Sequence, residues 1–228
     1  MHNIANRITN THNKISDACN LSARPTTEIK LMAVSKTKPI DAVMEAYEAG
    51  QRIFGENYAQ ELYEKSQILA HLTEIEWHYI GPIQSNKTKI IAQSCQWIDS
   101  LERLKIAQRL NNHAAEFDKT LNILIQVNIS RSEAKSGVLL EDVESLAAEI
   151  VNLPNLNFRG LMAIPDQHEQ VEQLKSEFNQ MHTCYLMLQQ QYPNVDTLSL
   201  GMSQDLITAI ECGSTMVRIG TDIFGARG

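Results

Sequence analysis

Short apolar runs rich in β-branched residues recur along this chain, and between them apolar positions return at helical spacing. The pattern predicts strands over 29–35 (IKLMAVS), 52–55 (RIFG), 76–81 (EWHYIG) and 96–99 (QWID). Four more follow over 121–129 (LNILIQVNI), 156–164 (LNFRGLMAI), 196–201 (DTLSLG) and 215–220 (TMVRIG). Helices are predicted over 39–50, 57–70, 84–94, 101–117, 140–152, 168–191 and 204–213, with a further N-terminal helix over 2–20. A doubly wound open sheet, the competing architecture, usually holds about five or six strands. Eight strands alternating with helices suit a (β/α)8 barrel, so the expectation is one α/β TIM-barrel domain over 1–228 with an extra helix in front.

Composition narrows the function classes. With 43% hydrophobic residues, 6 Pro, 10 Gly and no low-complexity segment, the chain can bury a sizeable core. A formal net charge of −7 argues against a general nucleic-acid or anionic-membrane binder, so an anionic ligand would need a local pocket. Cys19, Cys95, Cys184 and Cys212 lie far apart with no CxxC pair, which reads as reduced, buried thiols rather than metal ligands or disulfides. The N-terminal MHNIANRITNTHNKI has no apolar leader, and no run approaches the roughly 20 apolar residues of a membrane span. The expected location is cytoplasmic.

In a barrel, the residues that follow each strand converge on one face, where active sites lie. AVSKTKP (33–39) puts Lys36 at such a strand end. A lysine there either pairs with an anion or, with its amine partly desolvated and neutral, attacks a carbonyl carbon. Pairing is the commoner use. LSLGMSQDLITAI (198–210) reads as strand, glycine turn and helix, with Ser203 at or near the N-cap and Asp205 after it. VRIGTDIFG (217–225) supplies another strand and a Gly220–Thr221 turn. Either turn alone is ordinary capping, but together they fill the loops after strands seven and eight, where barrels frequently hold phosphate. Arg218, inside the eighth strand, needs a partner: a core carboxylate, or the ring nitrogen of a phosphorylated pyridine aldehyde. His78 lies before its strand end and reads as a core histidine, and the segment 166–191 reads as a long solvated helix without chemistry. Glu56, Tyr58 and Glu61 read as helix-start capping residues or supports beneath the site.

The segments AVSKTKP, FGENYAQE (54–61), WHYIGPIQSNK (77–87), VNIS (127–130), KSG (135–137), GLMAIP (160–165) and LSLGMSQDL…GSTMVRIGTDIFGAR, in this order, resemble the pyridoxal-phosphate homeostasis protein family from about residue 30 to residue 227. The resemblance implies a barrel of the alanine-racemase N-terminal type with pyridoxal 5′-phosphate held as an aldimine on Lys36. It implies Arg218 at the pyridine nitrogen and Ser203, Gly220 and Thr221 at the phosphate, with Asn57, Met162 and Ser199 lining the pocket. Gln204 and Asp222 depart from the commoner family residues, and Asp222 is expected to face away from the phosphate.

Two functional classes remain: a non-catalytic carrier that buffers the cofactor and hands it to apo-enzymes, and an amino-acid racemase. A lysine-dependent aldolase would leave Arg218 and the matched motifs unexplained. Racemisation wants a base on each face of the cofactor. In the alanine racemases, which the family resembles, the second base and the dimer interface come from an added domain. The sequence ends at Gly228, directly after the eighth predicted strand, so a monomeric carrier is expected. An arginine at the ring nitrogen also weakens the ring as an electron sink.

Overall fold

A computed structural model describes residues 3–167 and 170–226 of the chain. Its strands are β1 (Lys30–Val34), β2 (Ile53–Glu56), β3 (Glu76–Tyr79), β4 (Trp97–Leu101), β5 (Leu121–Val127), β6 (Leu156–Ala163), β7 (Thr197–Ser199) and β8 (Met216–Ile219). They pair in parallel in chain order, and β8 returns to β1 through Lys30–Met216 and Arg218–Met32 register pairs, closing the barrel. The helices are α1 (Ile4–Leu21), α2 (Ile40–Glu48), α3 (Ala59–Ile68), α4 (Thr88–Ser94), α5 (Leu104–Glu116), α6 (Val143–Ile150), α7 (Val171–Gln191), α8 (Leu206–Glu211) and α9 (Thr221–Phe224).

Each element follows from its residues. β5 is buried at six of its seven positions because a parallel barrel strand is covered on both faces, which is why LNILIQV reads as a run rather than an alternation. α5 buries Ile106, Ala107, Leu110 and Ala114 along one stripe against the barrel. Asn3 caps α1 by accepting from the Asn6 amide at 2.9 Å. α1 then packs across α2, α8 and α9 on the outside of the barrel. Most buried apolar side chains form one layer between strands and helices; Trp97, Leu124 and Met162 form a separate cluster that partly buried Ile164 joins. Gly55 of β2 makes room for Met32 of β1, whose Sδ would lie 2.6 Å from an added Cβ.

All eight predicted strands are present, and the helices start and stop within a few residues of expectation. The start of the helix expected over 168–191 and the first residue of that over 2–20 fall outside the described residues. Some readings are refined. The expected helices 84–94 and 140–152 each open with a separate 3-10 turn, Ser85–Lys87 and Leu140–Asp142. Ser203, read as at or near the N-cap of α8, lies two positions before it: Asp205 holds the cap position and turns its Oδ1 back to the Met202 amide, so 202–205 stays a turn and the helix starts at Leu206. The Gly-Thr turn after β8 continues into the short helix α9. The four cysteines are buried and unpaired, and burial pushes the Cys95 thiol up to about 12. No helix among the described residues is long and apolar enough to cross a membrane.

Candidate functional site

A cavity of about 640 Å3 opens at the C-terminal ends of the strands, within the range of about 300–1,000 Å3 typical of small-molecule sites. Lys36, Asn57, Ser203, Arg218, Gly220 and Thr221, six of the residues singled out from sequence, line it together. They come from the ends of β1, β2, β7 and β8, so strand adjacency across the barrel closure gathers side chains that lie up to 185 positions apart, counting from Lys36 to Thr221. Met162 and Ser199 are fully buried in β6 and β7, outside the lining.

Lys36 sits two residues past the end of β1, half-buried, in a turn whose next residue, Thr37, has φ 62. On both sides of it the backbone is tied down. The Ser35 carbonyl accepts from the Lys65 ammonium at 2.8 Å, and the Thr37 amide donates to Glu61 Oε1 at 2.7 Å.

Arg218 is 4% exposed, and its hydrogen bonds go to oxygens of the barrel wall rather than to a carboxylate. One terminal nitrogen donates to both the carbonyl and the hydroxyl oxygen of Ser199, each at 2.7 Å. The other donates to the Ala163 carbonyl at 2.8 Å. Those bonds leave a guanidinium, with its five N–H groups, donors to spare towards the cavity. Burial pushes its pKa below the usual arginine value, and the charges of Asp99 and Asp205 oppose that.

The turns after β7 and β8 share the cavity lining with it. Gly201 adopts φ +93, and a Cβ there would stand 2.5 Å from that of Ala209, so only glycine lets the β7–α8 turn pass. Ser203 follows in that turn, and Gly220 and Thr221 begin α9. Asp222 points out of the site, with Oδ2 2.8 Å from Lys14 Nζ on α1. Asp205 is spent on the Met202 amide, and Asp166 lies 3.7 Å from Lys135.

The sequence reading missed part of the wall. Asp166, Gln167, Gln170, Val171 and Leu174 line the cavity, so the start of α7 belongs to the site rather than to a purely solvated helix. Its buried face, Phe178, Met181 and Leu188, carried the warning, because those apolar positions dock α7 on the barrel. His78 is a core residue as read: fully buried, stacked on Trp97 and 2.9 Å from Asp99 Oδ1. Glu56 and Glu61 support the Lys36 turn through Lys65, whereas Tyr58 is 53% exposed. Among the described residues no group of three or more His, Cys, Asp or Glu side chains could hold a metal ion. A shallower groove of about 810 Å3 along α7 offers less, since its cations Arg131 and Lys175 are already paired with Glu141 and Glu211.

Comparison with known proteins agrees with this architecture. The model of the alanine racemase N-terminal domain family matches residues 13–228. The pyridoxal phosphate homeostasis protein of Pasteurella multocida (strain Pm70) is 50% identical over 216 residues, covering 93% of each chain. That of Escherichia coli (strain K12) is 48% identical over 229 residues, covering 100% of this chain and 98% of its own. The structure of PipY from Synechococcus elongatus PCC7942, with pyridoxal phosphate bound, superposes with a TM-score of 0.82 at 32% identity, covering 97% of this chain and 100% of that one. With a closed eight-stranded barrel and full-length identity near one half, the chain belongs to the pyridoxal phosphate homeostasis protein family, within the alanine racemase N-terminal domain family.

Proposed function

We propose that the cavity binds pyridoxal 5′-phosphate through Lys36 and that the protein is a non-catalytic carrier of that cofactor. The observation that carries this reading is the meeting, in one cavity, of an amine at a strand end, a buried guanidinium and two hydroxyl-bearing turns. The donor set suits a phosphorylated pyridine aldehyde. When bound, the cofactor supplies an aldehyde that condenses with an amine, and a phosphate that needs hydrogen-bond donors.

The residues divide that work. Lys36 offers the amine. Ser203 and Thr221 offer hydroxyls, and the Gly220–Thr221 turn offers backbone amides, to the phosphate. Arg218 can only donate, so a ring nitrogen facing it keeps its lone pair and takes up no proton. Asn57 adds an amide on the wall. Ser199 acts by fixing Arg218, and Met162 by packing the barrel interior beneath the site.

The same geometry favours holding the cofactor over turning substrate over. An unprotonated pyridine is a poor electron sink, and racemisation wants a second base opposite the lysine. The titratable side chains of the described lining are Lys36, Asp166, Asp205 and Arg218, and both carboxylates have the partners described above. The curated relatives are named homeostasis proteins. In this reading residues 1–228 form one domain that acts in the cytoplasm as a monomer and passes the cofactor to apo-enzymes.

The test is α-proton exchange into D₂O with a panel of L- and D-amino acids, followed by NMR against free pyridoxal phosphate. Exchange no faster than the free cofactor gives is expected. Exchange on one amino acid at about 1 s⁻¹ or more, in the ordinary enzyme range, and lost in Lys36→Ala, would overturn the carrier assignment.

A further inference from the structure

We propose that Lys65 and Glu61, which the cavity lining does not include, are positioning residues that hold Lys36 at the attack position; the inference rests on Lys36 being the cofactor lysine. Lys65 lies on α3 and is 4% exposed, a costly place for an ammonium unless every proton is satisfied. All three protons are. Nζ donates to the Ser35 carbonyl at 2.8 Å, to Glu56 Oε1 at 2.7 Å and to Glu61 Oε1 at 2.7 Å. The Ser35 hydroxyl donates to the same Glu56 oxygen at 2.6 Å. Glu61 Oε1 also accepts the Thr37 amide at 2.7 Å. One buried cluster therefore grips the residue before Lys36 and the residue after it.

The backbone explains why a grip is needed. Thr37 is β-branched yet sits at φ 62, a conformation that such residues rarely adopt and that persists only where the surroundings impose it. The Thr37–Glu61 bond imposes it here. A buried ion pair adds little net stability over an apolar replacement, so its position against this turn points to geometry rather than to stability. Attachment joins the Lys36 amine and the cofactor aldehyde as a C=N bond and releases water, with no other reactant. The covalent step is sensitive to amine placement in a way that anchoring of the phosphate is not.

The test separates the two contributions with two ligands: pyridoxal 5′-phosphate, and pyridoxine 5′-phosphate, which has an alcohol in place of the aldehyde and cannot bond to an amine. Lys65→Met and Glu61→Ala are expected to weaken the aldehyde ligand about tenfold or more while leaving the alcohol within about twofold. Glu61→Gln, which keeps an acceptor for the Thr37 amide, should retain wild-type discrimination. Should Lys65→Met fail to fold, the Glu61 pair decides. Equal weakening of both ligands, or unchanged aldehyde affinity in Glu61→Ala, would overturn the proposal. A wild-type protein that bound neither ligand would sink the cofactor reading alone, because acetic anhydride labelling of the cofactor-free chain still reads the placement of Lys36. There, the Lys36 rate relative to exposed Lys105 should rise about threefold or more in Glu61→Ala, and an unchanged ratio contradicts the proposal.

Discussion

Arg218 on β8 and Ser199 on β7 are joined twice, one guanidinium nitrogen donating at 2.7 Å to both the carbonyl and the hydroxyl of the serine. The two lie in neighbouring strands, Arg218 in the cavity wall and Ser199 buried behind it, so the pair orients a buried cation of the site. Removing the hydroxyl leaves the carbonyl acceptor but deletes a bond to a charged group. Ser199→Ala should lower the unfolding free energy by about 1.5 kcal/mol, at the low end for bonds to charged groups. Urea denaturation measures it, and an unchanged midpoint would show that the hydroxyl contributes nothing.

Ser203 and Thr221 should set affinity rather than attachment. Each hydroxyl lost removes a hydrogen bond to the phosphate worth about 1.5–3 kcal/mol, or about ten- to a hundredfold in Kd. At saturating cofactor the absorbance of the covalent form should remain in Ser203→Ala and Thr221→Ala. If the double variant binds as tightly as the wild type, the phosphate lies elsewhere.

The buried His78 predicts a pH dependence of stability. Burial would push its pKa down, but Asp99 at 2.9 Å and Glu76 at 3.2 Å together outweigh burial and hold it above the ordinary histidine value. A group raised on folding contributes stability that is fully present below its unfolded pKa and is lost as pH rises through the folded value. The Tm advantage of wild type over His78→Gln should therefore be largest near about pH 6 and shrink towards about pH 9. Glu76 is shifted the other way by the same contact, its carboxylate held low by His78 against the opposing effect of burial. Thermal melts across that range decide the matter, and a constant difference would mean that His78 does not titrate between the two states.

How much of this was legible in the sequence depends on whether the signal was local. The strands were, because a parallel barrel buries both faces and writes each strand as an apolar run such as LNILIQV. Lys36, Arg218 and the two turns were, because strand ends and glycines mark where a barrel presents chemistry. Ser203 was read only as at or near the cap; the Asp205 side chain accepts from the Met202 amide and the cap falls at Asp205, a bond that no pattern announces. The wall contributed by Gln167, Gln170 and Leu174 was missed because polar residues at a helix start look the same whether they face water or a cavity. Lys65 escaped notice for a similar reason: YEKSQ reads as an exposed helical turn, and only the fold brings its ammonium beneath Ser35.

The central claim is that Lys36 is the point of attachment. The direct measurement is borohydride reduction of the protein saturated with pyridoxal phosphate, then digestion and mass spectrometry of every lysine peptide. One pyridoxyl group per chain, on the peptide carrying Lys36, is the expected result. Modification centred on Lys38 or Lys87, with Lys36 unmodified, would contradict it.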